Sequence, residues 1–423
     1  MASKYAEFRF GWPVVFASAI GIGLGMSPLP FYTLGVFAGP LAQEFGWGIG
    51  QIMLSMAVFT FAAVITSPIV GLLSDRYGPR RVALISVVLF SFVMMSFSLQ
   101  NGSIAMWLAT WVVLAACGAG TLPITWTRAV NGWFHEKRGL ALGLSLIGTG
   151  IFGLIAKQYA FFMIELLGWR LAYVSVGLLP LLVSFPIAYF LFRDVSDPKV
   201  ADKVAQLRVQ TANKLVKHTG PTLKDALTDW RFWLLAYSFV PISFAVGGPI
   251  PNLETMLGEK GFDAGDAVTL ASLLGIAVII GRVLGGFLLD HFWAPGVAAI
   301  FLSLPAVSTL MLARPEYGFA FAAAAIMILG AAAGVEYDLM AYLVSKYFGL
   351  LHYAAIYGAL YGFFALGAGI GPAVFGQFYD ATGSYDTILK ISSLLFLAGA
   401  LPLLLLGKYR NFVTSGETPE KAD

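Results

Sequence analysis

Two long apolar runs are joined by the charged loop Gly71-Leu72-Leu73-Ser74-Asp75-Arg76-Tyr77-Gly78-Pro79-Arg80-Arg81. A weaker echo of this loop, Gly286-Phe287-Leu288-Leu289-Asp290-His291, follows about half a chain later. Aligning the aspartates of the two copies also superposes their first glycines, although the echo lacks the basic cluster. A motif that returns at half the chain length indicates an internally duplicated membrane protein.

Each residue type in this loop has a physical role. Glycines let two helices approach closely, and an aspartate at a helix end is a partner for a neighbouring helix terminus or an arginine. The basic cluster holds the loop on the cytoplasmic side of a membrane. We therefore expect these residues to act in conformational change: Gly71, Asp75, Arg76, Gly78, Arg80, Arg81, Gly286 and Asp290.

The composition is that of a membrane protein. Of the 423 residues, 58% are hydrophobic and only 12% are charged, with a mean hydropathy of +0.80; soluble proteins average about 25% charged residues. The net charge of +3 gives no indication of nucleic-acid binding. The single cysteine excludes an intramolecular disulfide, and all four histidines fall in short polar connections. We therefore expect neither a metal site nor a cofactor.

Apolar runs long enough to cross a bilayer, which takes roughly 20 residues, recur along the chain. Twelve of them are predicted, at residues 12–37, 50–73, 82–99, 104–133, 139–166, 171–192, 230–256, 268–289, 294–312, 317–348, 354–378 and 387–406. Lysine and arginine concentrate in alternate connections, which places both termini in the cytoplasm. The sequence thus predicts an all-α membrane protein of twelve transmembrane helices in two pseudo-symmetric six-helix halves.

The one long polar stretch separates these halves. We predict an N-terminal six-helix half at residues 1–192, a cytoplasmic linker at 193–229, a C-terminal half at 230–410 and a disordered tail at 411–423. The basic run in the linker is typical of a solvated helix near anionic lipid head groups.

The loop at Gly71–Arg81 resembles the signature that the major facilitator superfamily of transporters carries between its second and third membrane spans. The resemblance covers most of the chain and implies the major facilitator fold, in which spans one, four, seven and ten line a central cavity. It also implies alternating access, in which the two halves rock about a site near the membrane midplane and the loop stabilises the outward-open state.

Charged residues inside a membrane span are costly and mark functional sites. Arg282 lies eight residues before Asp290, hence about 12 Å along the helix. Its planar guanidinium suits a carboxylate in a shielded cavity. The run Gly281-Arg282-x-x-x-Gly286-x-x-x-Asp290 resembles span eight of the monocarboxylate transporters and the oxalate:formate antiporter, where the arginine binds the substrate carboxylate. The resemblance implies the same role for Arg282; the alternative is a structural pair with a carboxylate from another helix.

Two features of those relatives are missing here. Span eleven contains no lysine or arginine, and Val278 stands where the animal monocarboxylate transporters place an aspartate one turn before the arginine. The resemblance therefore does not define the proton relay.

Four other ionisable residues lie well inside the spans: Arg128, Lys157, Glu336 and Asp338. Glu336 and Asp338 are two positions apart in span ten, so their side chains point about 200° apart on a helix and cannot form one dyad. One is expected to face the cavity and the other a packed interface, and either is a candidate proton carrier. The rival interpretation is an inner-gate ion pair with Arg128 in span four, which is alternatively an anion-attracting residue or one that snorkels to the head groups.

Further candidates for substrate contact are less specific. Lys157 in span five is expected to assist a dicarboxylate, screen the entrance, or snorkel outward. Tyrosine hydroxyls hold carboxylates and the rings accommodate an organic body; the candidates are Tyr32, Tyr237, Tyr357 and Tyr361.

These observations favour a proton-coupled or exchange carrier of small organic anions, mono- or dicarboxylates, in a bacterial inner membrane. A monomer is the expectation for this fold, with protons or a counter-anion as the coupled species. The alternative transporter is a proton-driven multidrug efflux pump, against which three basic residues inside spans argue. A membrane enzyme would need a nucleophile beside a base or a metal set, and the sequence shows neither. A transporter-like sensor would need an added signalling domain, for which the linker and the tail are too short.

Overall fold

The computed structural model describes residues 6–134, 138–194, 200, 220–349 and 352–410. The predicted tail at 411–423 and most of the predicted linker lie outside these residues, as do the side chains of Asp75 and Asp290. Every regular element in the described part is a helix.

The described residues contain twelve helical segments that can serve as membrane crossings, the predicted number. Ten helices are long and apolar enough to cross a membrane. One of these, Leu140–Leu191, spans 52 residues and divides at Gly168, whose backbone is not helical (φ 75°, ψ 161°), into two crossings. The remaining crossing is the broken N-terminal pair Ala6–Gly23 and Leu29–Phe45.

The spans are numbered here in chain order. Span one is Ala6–Gly23 with Leu29–Phe45, span two Ile49–Tyr77, span three Pro79–Ser96, and span four Ile104–Gly118 with Pro123–Trp133. Spans five and six are the two parts of Arg138–Leu179, the second continued by a π-helical turn at Pro180–Ser184 and by Phe185–Leu191. Span seven is Trp230–Gly247 with Pro249–Glu259, preceded by the short helix Leu223–Thr228, and span eight is Ala264–His291. Spans nine to twelve are Ala294–Leu312, Phe319–Phe348, Tyr353–Thr382 and Asp386–Ala400, the last extended by a 3-10 turn at Leu401–Leu406.

Buried apolar side chains form separate cores in the two groups of six spans. The largest core draws on spans seven to twelve, with Tyr32 as its one member from the N-terminal part. Two further cores lie in spans one to six, apart from Val200 and Val268. These cores fit a division into halves, and the exact boundaries proposed above stay a prediction.

The break in span one is paired with the break in span four. Proline at the start of the second helix and glycines before it interrupt the hydrogen-bond ladder at residues 24–28. The backbone N–H of Met26 donates to the hydroxyl of Thr121 at 2.8 Å, and the indole of Trp126 donates to the Thr121 carbonyl at 3.1 Å. Polar backbone in a membrane is tolerated only when it is satisfied internally in this way.

The two halves pack closely on one side of the bundle. We call the side that carries Ala6 and Gly78 the termini side, and the opposite side the far side. A Cβ added at Gly376 of span eleven would fall within 3 Å of the backbone of Gly50 in span two, and one added at Gly275 of span eight would meet the backbone of Gly150 in span five. Only glycine permits such a close approach between backbones.

A carboxylate of the second half also caps a helix of the first half. The two oxygens of Asp380, in span eleven, accept hydrogen bonds from the backbone N–H groups of Ile49 at 2.8 Å and Gly50 at 2.7 Å. These groups open span two, where the helix carries its positive partial charge. Asp380 thus joins the halves at the far side.

The halves separate toward the termini side. A Cβ added at Gly71, Gly143, Gly358 or Gly362 would meet nothing within 4 Å. Neighbouring apolar side chains are exposed as well, with Leu72 at 69%. The structure therefore shows a conformation that is closed on the far side and open on the termini side.

The crossing of spans five and eight predicts a stability effect. Gly275→Ala should lower the free energy of unfolding by about 1–3 kcal/mol, because the added methyl group meets backbone that cannot yield. Thermal unfolding of the purified protein measures this effect. The control is Gly143→Ala, on the open part of span five, which should be neutral or stabilising because alanine favours helix over glycine. Equal stability of the two variants would contradict the close crossing.

Candidate binding site

The guanidinium of Arg282 joins three helices and both halves. Its Nε lies 3.2 Å from Oδ2 of Asp338 in span ten. Its Nη1 donates to the Leu146 carbonyl in span five at 2.8 Å and approaches the Thr149 hydroxyl at 3.4 Å. The predicted alternative of a pair with a carboxylate from another helix is therefore present in this conformation.

Glycines bring Arg282 within reach of Asp338. A Cβ at Gly281 would run into the backbone of Ala331, and one at Gly334 would run into the backbone of Val278. Spans eight and ten thus touch backbone to backbone next to the ion pair. This close contact holds the arginine of one helix beside the carboxylate of the other.

The two acidic residues of span ten lie on different faces, as their spacing predicts. The side chain of Asp338 is 31% exposed, whereas Glu336 is 3% exposed. Asp338 therefore faces the open space between the halves, and Glu336 faces a packed interface. The cation paired with Asp338 in this conformation is Arg282. The alternative pair with Arg128, as an inner gate, stays a prediction.

Tyrosines of span eleven form a row beside the ion pair. The ring centroids of Tyr353 and Tyr357 are 5.6 Å apart, and those of Tyr357 and Tyr361 are 6.4 Å apart. Tyr337 of span ten joins this row at 6.2 Å from Tyr361. Tyr357 is close enough to Asp338 and Arg282 to interact electrostatically. The sequence pointed to Tyr357 and Tyr361 of this row but not to Tyr337 or Tyr353.

The other two predicted tyrosines differ in their surroundings. Tyr32 is 8% exposed, packs against Gly153, and interacts electrostatically with both Arg282 and Glu336. Tyr237 is 58% exposed on span seven and makes no ring contact with the tyrosine row in the described part of the chain. The structure therefore brings Tyr32 to the site and leaves Tyr237 outside the row.

Lys157 does not snorkel to the membrane surface. Its side chain is fully buried and forms an ion pair with Glu254 of span seven. The carboxylate of Glu254 lies against Gly35 of span one, where any larger residue would displace it. The expectation of outward snorkelling is wrong, because a carboxylate 97 residues away in sequence supplies the partner inside the bundle.

Arg128 lies apart from Arg282, on the termini side. It is exposed in a cavity of about 320 Å³ between spans two and four, together with Gly71, Ser74, Thr125 and Asn131. The cavity also borders the predicted conformational loop.

Within that loop the described side chains are largely solvated. The Nη2 of Arg80 donates to the Tyr189 carbonyl of span six at 2.6 Å, whereas Arg76 and Arg81 are exposed. Gly78 ends span two with a φ of 84°, a backbone conformation that favours glycine. Gly286 meets open space. The roles of these residues in conformational change stay predictions.

No group of three or more histidine, cysteine or carboxylate side chains suited to a metal ion occurs among the residues that the structure describes. The polar groups of the site are instead one guanidinium, two carboxyls and several phenols. Such a set has the chemistry to bind and orient an anion and to exchange protons.

The Lys157–Glu254 pair gives a second testable prediction. Lys157→Met should destabilise the protein by about 3–5 kcal/mol, since it leaves a buried carboxylate without its cation. Adding Glu254→Gln should recover most of this loss, as a thermal double-mutant cycle would show. Glu165→Gln, at an exposed position of the same span, is the control and should change stability by less than about 0.5 kcal/mol. Additive effects of the two changes would contradict a buried pair.

Comparison with known proteins agrees with this architecture. The sequence model of the Major Facilitator Superfamily matches residues 11–372. A probable sulfoacetate transporter, SauU of Cupriavidus necator, is 25% identical over 88% of this chain and 89% of its own length. Monocarboxylate transporter 9 of Gallus gallus is 24% identical over 95% and 94%, and the MFS-type transporter YhjX of Escherichia coli is 27% identical over 80% and 81%. The chain belongs to the major facilitator superfamily.

Proposed function

We propose that this protein is a secondary active transporter of small organic anions, mono- or dicarboxylates, driven by proton symport or anion exchange. The observation that carries the proposal is the position of Arg282 at the junction of the two halves, with Asp338 and the tyrosine row around it. Relatives described as sulfoacetate and monocarboxylate transporters support the same substrate class.

Asp338 occupies the place that a substrate carboxylate would take. An arginine fork binds a carboxylate best through two parallel hydrogen bonds, whereas Asp338 approaches only Nε, without hydrogen-bond geometry. Within the described part of the chain, no hydrogen bond engages Nη2 of Arg282. A substrate carboxylate that reaches Nε and Nη2 together displaces Asp338 and gains the stronger, bidentate interaction.

The surroundings suit an organic body attached to the carboxylate. Tyr357 and Tyr361 present rings and hydroxyls next to the ion pair, and Tyr361 is 37% exposed. For a dicarboxylate, Arg128 in the cavity of the termini side offers a second positive charge on the exit path. Lys157 acts instead through Glu254, by holding the far side closed.

Alternating access would act through the contacts between the halves. In the present conformation Asp380, Glu254 and the glycine crossings close the far side. The opposite conformation would break these contacts and bring the Gly71–Arg81 loop against the second half. We place the termini in the cytoplasm of a bacterial cell, the protein in the inner membrane as a monomer, and the open side therefore inward.

Transport by reconstituted protein tests this proposal. Vesicles loaded with one carboxylate should take up labelled carboxylate by exchange, across a panel of acetate, pyruvate, benzoate, oxalate and sulfoacetate. Arg282→Gln should raise the half-saturating concentration of the active compounds about 10- to 100-fold, since a hydrogen bond to a charged group contributes about 1.5–3 kcal/mol. Arg282→Lys should recover little, because ammonium lacks the fork.

The matched control is Arg314→Gln, which removes an exposed arginine on the far side and should leave exchange unchanged. Uptake of lipophilic cations with no response to any carboxylate would contradict the organic-anion proposal and favour a drug efflux pump. Equal loss in the two arginine variants would contradict a specific role for Arg282.

A further inference from the structure

Glu336 differs from every other acidic residue of the site. Its side chain is 3% exposed, and its Oε2 atom is buried without a hydrogen-bond partner. In the described part of the chain it forms no ion pair, whereas Asp338, two residues later, is paired with Arg282. A buried carboxyl without a cation is therefore set beside one that has a cation.

Among the described residues, the elements packed around span ten bring Glu336 no free cation. From span one, Tyr32 faces Glu336, and on span ten itself Tyr337 is its electrostatic neighbour. Span eight contributes Arg282, which is engaged by Asp338 and by span five. Span nine contains no titratable residue.

Spans seven and eleven also neighbour span ten, and their described residues bring no positive charge to Glu336. Their titratable residues nearest this level are the phenols Tyr237, Tyr357 and Tyr361 and the carboxyl Glu254, which is paired with Lys157. The groups around Glu336 are thus phenols or charges already neutralised by a partner.

Ionising a carboxyl in such a place costs several kcal/mol of desolvation free energy, and no charged partner offsets this cost. We propose that Glu336 is the proton-binding site of the transporter, neutral and protonated in this conformation, and that it couples protons to the movement of the halves. This inference rests on the proposed function and deepens it, because it names the coupling ion and its residue. Asp338 then responds to binding of the substrate anion, and Glu336 responds to binding of a proton.

The position of Glu336 explains how a proton influences the conformation. Tyr32 belongs to the N-terminal half but packs into the core of the C-terminal half, at the helix that follows the break in span one. Opening the far side separates these helices and admits water to Glu336. The O–H bond then breaks with transfer of the proton to water, and the hydrated carboxylate remains.

Linkage between proton binding and conformation determines the direction in which pH shifts the equilibrium between the far-side-closed and far-side-open states. The far-side-closed conformation binds the proton more tightly than the hydrated one, so protonation favours closure of the far side. Acidic pH should therefore increase the closed population, and rising pH should decrease it. One proton is thereby released from Glu336 when the far side opens and bound again when it closes.

A distance measurement without substrate tests the inference directly. Spin labels at Asn101→Cys and Glu316→Cys, exposed far-side loop positions in different halves, would report far-side opening in a Cys117→Ala background. We expect the long-distance population to grow as pH rises. Glu336→Gln, which has the shape of the neutral acid, should remain in the closed distance at every pH. Asp338→Asn is the control and should keep the pH response.

Transport provides the second readout. Glu336→Gln should lose accumulation driven by a pH gradient and the accompanying proton flux, because the amide carries no titratable proton. A pH response of the distances that survives Glu336→Gln would overturn the inference, and so would proton-driven accumulation by that variant. Absence of carboxylate transport by the parent would contradict the proposed function alone, because the distance measurement needs no substrate.

Discussion

The guanidinium of Arg282 is shared by the two halves of the protein, and the closed arrangement depends on how its charge is satisfied. Span ten offers the carboxylate of Asp338, and span five offers the Leu146 carbonyl. A charge inside a membrane must be compensated in every conformation. We propose that a substrate anion replaces Asp338 at Arg282, and that binding is coupled to movement of the halves because the same guanidinium also contacts span five.

At the helix breaks, neutral side chains satisfy backbone polar groups that the membrane would otherwise leave without partners. Where span one breaks, Met26 finds the hydroxyl of Thr121. Where span seven breaks, the amide of Asn252 donates to the Gly248 carbonyl at 2.8 Å and the Pro372 carbonyl at 3.2 Å, and its oxygen accepts from Tyr385. These broken helices approach each other at the far side, where Asp380 and Glu254 complete the closure. Irregular backbone thus occurs where side chains satisfy it.

Much of the fold was predictable from the sequence, because the bilayer sets the length and polarity of each span. The loop at Gly71–Arg81 and its echo indicated an internal duplication. The spacing of Glu336 and Asp338 predicted that their side chains lie on opposite faces of span ten. The sequence carries no comparable signal for which side chains pair between different helices. Lys157 and Glu254 are 97 residues apart, and the capping role of Asp380 depends on a helix that begins 331 residues earlier. The role of Tyr237 stays a prediction, because periodicity places a residue on a face without saying what covers that face.

Thermal stabilisation of the purified protein by carboxylates tests the central claim most directly, because it asks whether Arg282 binds an anion without assuming a direction of transport. The same mono-, di- and aromatic carboxylates would be compared at acidic and neutral pH on the parent and on Arg282→Ala. The account predicts that some carboxylates raise the unfolding temperature of the parent and none raises that of the variant. Equal stabilisation of both proteins, or stabilisation only by lipophilic cations, would contradict it.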